Sequence, residues 1–290
     1  MMHCETFYWY SKDGTKISAC SWTTDKQPVR AVIGIVHGLG EHRGCYEHVA
    51  AYFTSYGYAV MAFDQRGHGE TEGKKMYTPS YEELLENVDI LIKEMDTRYP
   101  DAPALLYSHS MGGNITLNYL IRYRPKVIGA IVASPWLKLM WRPPSLAMLW
   151  GIAREQLQPN YRYPGMNQRA TSDPVMLQRY TQDPLRYGMI TPTLFSCVHR
   201  AGRIALTQAH KLRTPILLMH GEADLITSAK ASAKFADRAD ARYCTFHSWA
   251  GFRHELHTEK GRDQVMARTV AWMEEQLDQS SNQRDKRLEQ

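Results

Sequence analysis

No stretch of this chain approaches the roughly 20 consecutive apolar residues that a membrane-spanning helix needs. The amino terminus, MMHCETFYWYSKDGTKI, lacks a basic stretch followed by an uninterrupted apolar run, so it does not read as a secretory signal. Cysteine is sparse too. Cys4, Cys20, Cys45, Cys197 and Cys244 are odd in number and scattered, without the close pairs of a metal or redox motif. A reduced, cytoplasmic setting fits that usage. Nor is there a basic block: the net charge of +5 is spread along the chain, and no zinc-finger or arginine-rich pattern accompanies it, which argues against nucleic acid as a partner. No internal repeat is visible. What is present is a 290-residue chain with 43% hydrophobic and 22% charged residues, enough apolar material for one large core or two modest ones.

Strand-like and helix-like segments alternate along most of it. FYWYSKDGTKISACSW carries Asp13-Gly14 between apolar segments, a hairpin signal because both residues tolerate positive φ. AVIGIVHG, YAVMAFD, ALLYS and VIGAIVAS read as buried strands. Helical spacing appears in YEHVAAYFTSYG and in SYEELLENVDILIKEMDTRY, where Leu84, Leu85, Val88, Leu91, Ile92 and Met95 form an apolar stripe. This order predicts an α/β fold, a mostly parallel sheet with helices on both faces. Alternation stops after Ser134, resumes at TPILLMHGEAD, and continues through SAKASAKFADRA, RYCTFHSW and DQVMARTVAWMEEQL. The core is therefore expected over residues 1–134 and 204–279, with 135–203 as an insertion and the polar tail 280–290 frayed.

Within this frame, LLYSHSMGGN puts Ser110 between a strand and a helix, with Gly112 and Gly113 behind it. That arrangement suits a nucleophile on a sharp turn, where small residues let backbones approach. Ser108 stands where the first glycine of the motif is usual, and the pattern alone marks a helix N-cap serine more often than a nucleophile. A hydroxyl attacks only if a base takes its proton and an acid orients that base. Both follow downstream: Asp224 lies just past a strand in LLMHGEADLITS, and His254 lies in a loop after the next strand in HSWAGFRHELH. Asp224 could instead cap the next helix, and His257 is a neighbouring alternative to His254. HELH spaces its histidines three apart rather than the four of the helical zinc motif, so no metal is expected. The backbone NH groups of Leu39 and Met111 are the candidate oxyanion donors. HGLGEHRG also suggests a dinucleotide loop, but its glycines at 38, 40 and 44 are one residue too widely spaced, and no cofactor is expected.

HGLGEHRGCYEHVA, FDQRGHGETEG, SHSMGGN, TPILLMHGEADLIT and AGFRHELHTE together resemble the monoacylglycerol lipase and lysophospholipase branch of the serine α/β-hydrolases, from the hairpin to the last helix. The resemblance implies an α/β-hydrolase fold with residues 135–203 as a cap over the site. It implies Ser110 as nucleophile, Asp224 as acid and His254 as base, acting through an acyl-enzyme on the carboxylic esters of lipid-like substrates. In such lipases a glutamate and an arginine of the oxyanion block, with the histidine three beyond the catalytic one, lie on the polar side of the pocket. Glu41 and His257 match two of these; Cys45 stands at the arginine position, and Arg43 lies two residues away. Monoacylglycerol, lysophospholipid and simpler esters therefore stay open. Asp64, Arg66 and His68 match a block expected to brace the oxyanion loop.

The cap opens with PWLKLMWRPPSLAMLWGI, which reads as a pair of short amphipathic helices that guide an acyl chain or pack the cap onto the core. Trp136, Trp141 and Trp150 are its candidate contacts with a membrane surface. The alternatives on the same scaffold are a small-ester carboxylesterase, an acyltransferase and a non-catalytic binding protein; a dehalogenase would need aspartate in place of Ser110. Acyl-chain length and oligomeric state are not legible.

Overall fold

The structure, a computed structural model, describes residues 1–25, 28–141, 144–164 and 170–288. It begins with a hairpin, β1 (Met2–Tyr10) and β2 (Lys16–Thr24), whose connecting turn places Gly14 at φ +83°. β3 (Val32–Val36), α1 (Glu47–Ser55), β4 (Ala59–Phe63), α2 (Tyr81–Arg98), β5 (Ala104–His109), α3 (Met111–Tyr123) and β6 (Gly129–Ala133) follow. Next come α4 (Ser145–Leu157), the two-residue strand β7 (Tyr163–Pro164), α5 (Pro174–Gln182) and β8 (Met189–Ile190), which pairs with β7. α6 (Pro192–Gln208), β9 (Ile216–Gly221), α7 (Ala229–Arg238), β10 (Cys244–Trp249) and α8 (Arg262–Leu288) complete the described chain.

Eight strands form one sheet in the order β1-β2-β4-β3-β5-β6-β9-β10. β2 runs antiparallel to both β1 and β4, and the remaining pairs are parallel. Parallel neighbours require crossovers, and helices supply them on both faces, so β3 and β4 are buried along their whole length. Side chains alternate between two cores. Val32 and Val36 face a cluster that includes Leu91 and Met95 of α2 and Leu120 of α3, whereas Ile33 and Ile35 face Phe53 of α1 and Trp272 and Met273 of α8. The α2 stripe buries Leu84, Leu85, Val88, Leu91 and Met95, with Ile92 half-buried at its edge. Ser80 caps that helix by accepting the Glu83 amide.

The structure bears on three expectations. The boundary at residue 203 falls inside α6, a helix that packs on α3: Asn114 Nδ2 donates to the Val198 carbonyl at 3.1 Å, and Asn118 Nδ2 to that of Ala201 at 3.2 Å. α6 also meets the insertion, where the Thr193 amide and hydroxyl donate to Glu155 of α4 at 2.9 and 2.8 Å, so this helix joins the two parts. Two short helices are expected in the stretch from Pro135, and among its described residues there is one, α4; Arg142 and Pro143 lie outside them. The polar tail, expected to fray, continues α8 to Leu288 through a segment that has no Pro or Gly to end it. Glu289 and Gln290 lie outside the described residues.

Asn114 also donates to the Trp136 carbonyl at 2.7 Å, so one amide group ties α3 to two segments. Asn114→Ala leaves buried carbonyls without that donor and is expected to cost about 1–3 kcal/mol. Urea unfolding measures it; a midpoint equal to wild type would contradict the assignment.

Candidate active site

Ser110 sits between β5 and α3 with φ 52° and ψ −114°, a conformation few non-glycine residues adopt. The surrounding backbone holds it there. Its amide donates to the Ala133 carbonyl at 3.0 Å, and its carbonyl accepts from the amides of Asn114 at 3.0 Å and Trp136 at 2.9 Å. The turn is tight enough to require glycine at 112, where a Cβ would collide with the Val36 carbonyl oxygen and lie 2.6 Å from that of His37. Ser108 is tolerated because its hydroxyl donates to the Ile131 carbonyl on β6 at 3.1 Å.

His254 Nε2 lies 2.8 Å from Ser110 Oγ, and its Nδ1 lies 2.7 Å from Asp224 Oδ2. The three side chains come from the ends of β5, β9 and β10 and are all buried. Asp224 Oδ1 accepts the amides of Ile226 at 2.7 Å and Thr227 at 3.0 Å; Oδ2 also accepts from Thr227 Oγ1 at 2.7 Å and His220 Nε2 at 2.9 Å. Burial pushes the Asp224 carboxyl upward, but electrostatic attraction and hydrogen bonds from the His254 and His220 rings outweigh it and hold it well below the usual carboxylate range. An ionised carboxylate only accepts, so Nδ1 of His254 carries the proton and Nε2 offers its lone pair to the serine hydroxyl. The capping alternative falls away, since Ser228 caps α7. His220 and Thr227, the second layer around Asp224, went unnoticed in the sequence although both lie in the same quoted block.

The loop after β3 is fixed from within. Glu41 Oε2 accepts the Gly38 amide and the Tyr46 hydroxyl, both at 2.6 Å, while His37 donates through Nδ1 to the Gly38 carbonyl and accepts the Gln65 amide at Nε2. Leu39 lies in this turn. Met111 opens α3, where an amide has no intrahelical acceptor. Asp64 braces the loop by accepting the Arg43 amide at 2.7 Å, its guanidinium at 2.5 Å and the Glu70 amide at 2.9 Å. Arg66 instead pairs with Asp13 and Thr15 of the hairpin turn, and His68 Nδ1 donates to the Arg66 carbonyl. Arg43 is thus committed to Asp64 and Glu70.

Glu41 and His257, expected on the polar side of the pocket, are held by neighbouring groups. They are 2% and 1% exposed. Glu41 is occupied by Gly38, Tyr46 and His109, whose Nδ1 lies 3.2 Å away, and the His257 ring stacks on those of Tyr46 and His48. Burial lowers the His257 pKa well below that of an ordinary histidine, so this ring is neutral. Four side chains that the sequence did not single out complete the cluster: His109, Tyr180, Arg186 and Glu255. Arg186 Nη2 lies 2.9 Å from Glu255 Oε1 and 3.9 Å from Glu41 Oε1, Nη1 lies 3.6 Å from Cys45 Sγ, and the guanidinium covers the Tyr180 ring. The Tyr180 hydroxyl donates to Glu255 Oε2. Adjacency to His254 could have flagged Glu255; Arg186 is 141 residues from Cys45 and gave no local signal.

His42, Cys45 and Asp183 gather at metal-ligand spacing, as do Glu41, Glu255 and His257. Their bonding suits neither to a cation. His42 accepts the Gly44 amide at Nδ1 and donates from Nε2 to Asp183, which leaves the ring no spare lone pair, and Arg186 already sits as the cation beside both carboxylates of the second group.

The family profile described as serine aminopeptidase, S33, matches residues 27–261, which include Ser110, Asp224 and His254. The chain belongs to this S33 family. Among its relatives, a monoacylglycerol lipase of Mycolicibacterium smegmatis is 27% identical over 262 residues, covering 90% of this chain and 93% of that one. An uncharacterized abhydrolase domain-containing protein of Dictyostelium discoideum is 30% identical over 277 residues, 94% of this chain, which spans only 29% of that protein's length. The crystal structure of Paleococcus ferrophilus monoacylglycerol lipase aligns with a TM-score of 0.79 at 25% identity, covering 95% of this chain and 99% of that one. The expected α/β-hydrolase fold and the resemblance to the monoacylglycerol lipase branch are borne out for this S33 member.

Asp224→Asn is expected to lower kcat about 10,000-fold by favouring the wrong imidazole tautomer. Because the folded carboxyl titrates below its unfolded value of about 3.9, its stabilising contribution is present above that pH and is lost as pH falls further. Urea unfolding at pH 7 and pH 3 should therefore show the wild-type advantage over Asp224→Asn shrinking at the lower pH. An advantage that stays constant would contradict an ionised Asp224.

Proposed function

We propose that the chain is a carboxylic ester hydrolase acting on lipid-like substrates, monoacylglycerols or lysophospholipids, through an acyl-enzyme on Ser110. The observation that carries this reading is the unbroken line of hydrogen bonds from Ser110 Oγ through His254 to Asp224. As Oγ attacks the ester carbonyl, His254 Nε2 takes its proton and Asp224 steadies the imidazolium. The amides of Leu39 and Met111 hold the oxyanion. Collapse breaks the ester C–O bond, the imidazolium returns its proton to the leaving alcohol, and water activated by His254 then releases the fatty acid. Relatives named as monoacylglycerol lipases, matched over most of their length, support lipid esters as the substrate class.

An aminopeptidase, as the family description words it, would need a free carboxylate near the site for the substrate's amino terminus. Glu41 and Glu255, the buried carboxylates of the neighbouring cluster, are already engaged by Gly38, Tyr46, His109, Tyr180 and Arg186. That favours esters.

The cap reading divides its tryptophans. Trp136 is buried edge-on against Phe195, so it serves packing, not a membrane. Met140, Trp141, Leu146, Leu149 and Trp150 are exposed together on and just before α4, a surface suited to lying against lipid. No helix among the described residues is long and apolar enough to cross a membrane. The five cysteines are free thiols, which suits a reducing compartment such as the cytoplasm.

Ser110→Ala and His254→Ala should each lower kcat about 10,000-fold or more, and the double variant should lose little beyond either single one. Losses that multiply would contradict a shared relay. In a hydrolysis panel of monoacylglycerols, lysophospholipids and graded p-nitrophenyl esters, long-chain lipid esters should give the highest kcat/KM; preference for acetyl or butyryl esters would favour a small-ester carboxylesterase. Trp141→Ala with Trp150→Ala should reduce co-sedimentation with liposomes while leaving turnover of a soluble short-chain ester unchanged. Equal sedimentation would remove the membrane contact.

A further inference from the structure

We infer that Arg186, carried by the inserted segment, is a positioning residue that holds the oxyanion loop and the His254 loop in register. This inference rests on the hydrolase reading of the site. The guanidinium is 5% exposed and lies beside two carboxylates that are themselves buried, Glu41 and Glu255. Each carboxylate belongs to a different working loop. Glu41 fixes the Gly38 amide, one residue before Leu39, and Glu255 directly follows His254. One cation is therefore shared by the donor loop and the base loop.

The backbone around Arg186 reinforces the link. The Tyr187 amide donates to the Gly40 carbonyl at 3.1 Å, and His42 Nε2 donates to Asp183 Oδ2 at 2.8 Å, so residues 183–187 clasp the turn at 40–42. The Tyr180 ring lies against one face of the guanidinium, and its hydroxyl binds the far oxygen of Glu255. Without Arg186, both carboxylates would lose a buried counter-charge, and each loop could relax alone. A shift of about 1 Å in such loops is enough to cost about 100-fold in rate.

The decisive feature for a test is that Arg186 Nη1 lies 3.6 Å from Cys45 Sγ. A guanidinium carried from position 45 would reach the space that Arg186 vacates. The experiment compares wild type, Arg186→Ala, Arg186→Met, Cys45→Arg and the double variant Cys45→Arg/Arg186→Ala, with thermal unfolding to establish that each is folded. The readouts are kcat and KM on a p-nitrophenyl ester and the rate of fluorophosphonate labelling of Ser110. Arg186→Ala and Arg186→Met should lose about 10- to 100-fold in kcat with little change in KM, and labelling should slow in proportion. Cys45→Arg alone should also lose activity, because two guanidinium groups then compete for one site. The double variant should regain at least tenfold over Arg186→Ala, a reciprocal rescue that loss of packing would not produce. Either single arginine variant folded and within twofold of wild type, or a double variant no more active than Arg186→Ala, overturns the inference. A wild type inert to the probe and to esters would instead remove the hydrolase reading, and this inference with it.

Discussion

The His254 imidazole is useful only while one of its nitrogens is held by an ionised carboxylate and the other faces a hydroxyl. Asp224 meets that condition in an almost dry setting because four further donors, two amides, one hydroxyl and one imidazole, converge on its oxygens. A buried carboxylate with fewer donors would protonate, and the tautomer of His254 would no longer be dictated. The turn after β9, with its run of amides at Ile226 and Thr227, is thus as much a part of the site as the triad.

Reach is the second requirement. Ser110 and His254 are 144 residues apart, and they meet because β5, β6, β9 and β10 are adjacent parallel strands whose carboxyl ends share one rim. The elbow adds strain at Ser110, and close packing against the end of β3 resists its release. That same packing brings the loop of Leu39 beside the nucleophile, so the parts for attack and for charge stabilisation are set by a single steric fit around Gly112.

Much of this was legible in the chain. The buried strands announce themselves as runs such as VIGIV and AVMAF, and the triad follows from residue type, order and strand-end position. For Glu41 and His257 the motif gives identity, but only packing decides whether a polar side chain faces a cavity or is held by neighbours. Arg186 was hidden for the complementary reason. Its partners Glu41, Cys45 and Glu255 come from two distant segments, and no periodicity or spacing encodes a charge shared across loops. The expected end of the insertion falls inside α6 because that helix is amphipathic rather than strand-like, and alternation of strands was the only marker used. The tail reads as polar in the sequence, yet a segment without Pro or Gly can extend an anchored helix.

The most direct test of the account is to incubate the protein with a fluorophosphonate and map the adduct by mass spectrometry. The account predicts one phosphonylated residue, Ser110, formed quickly in wild type and negligibly in His254→Ala. An adduct on another residue, or labelling of His254→Ala at the wild-type rate, would contradict it.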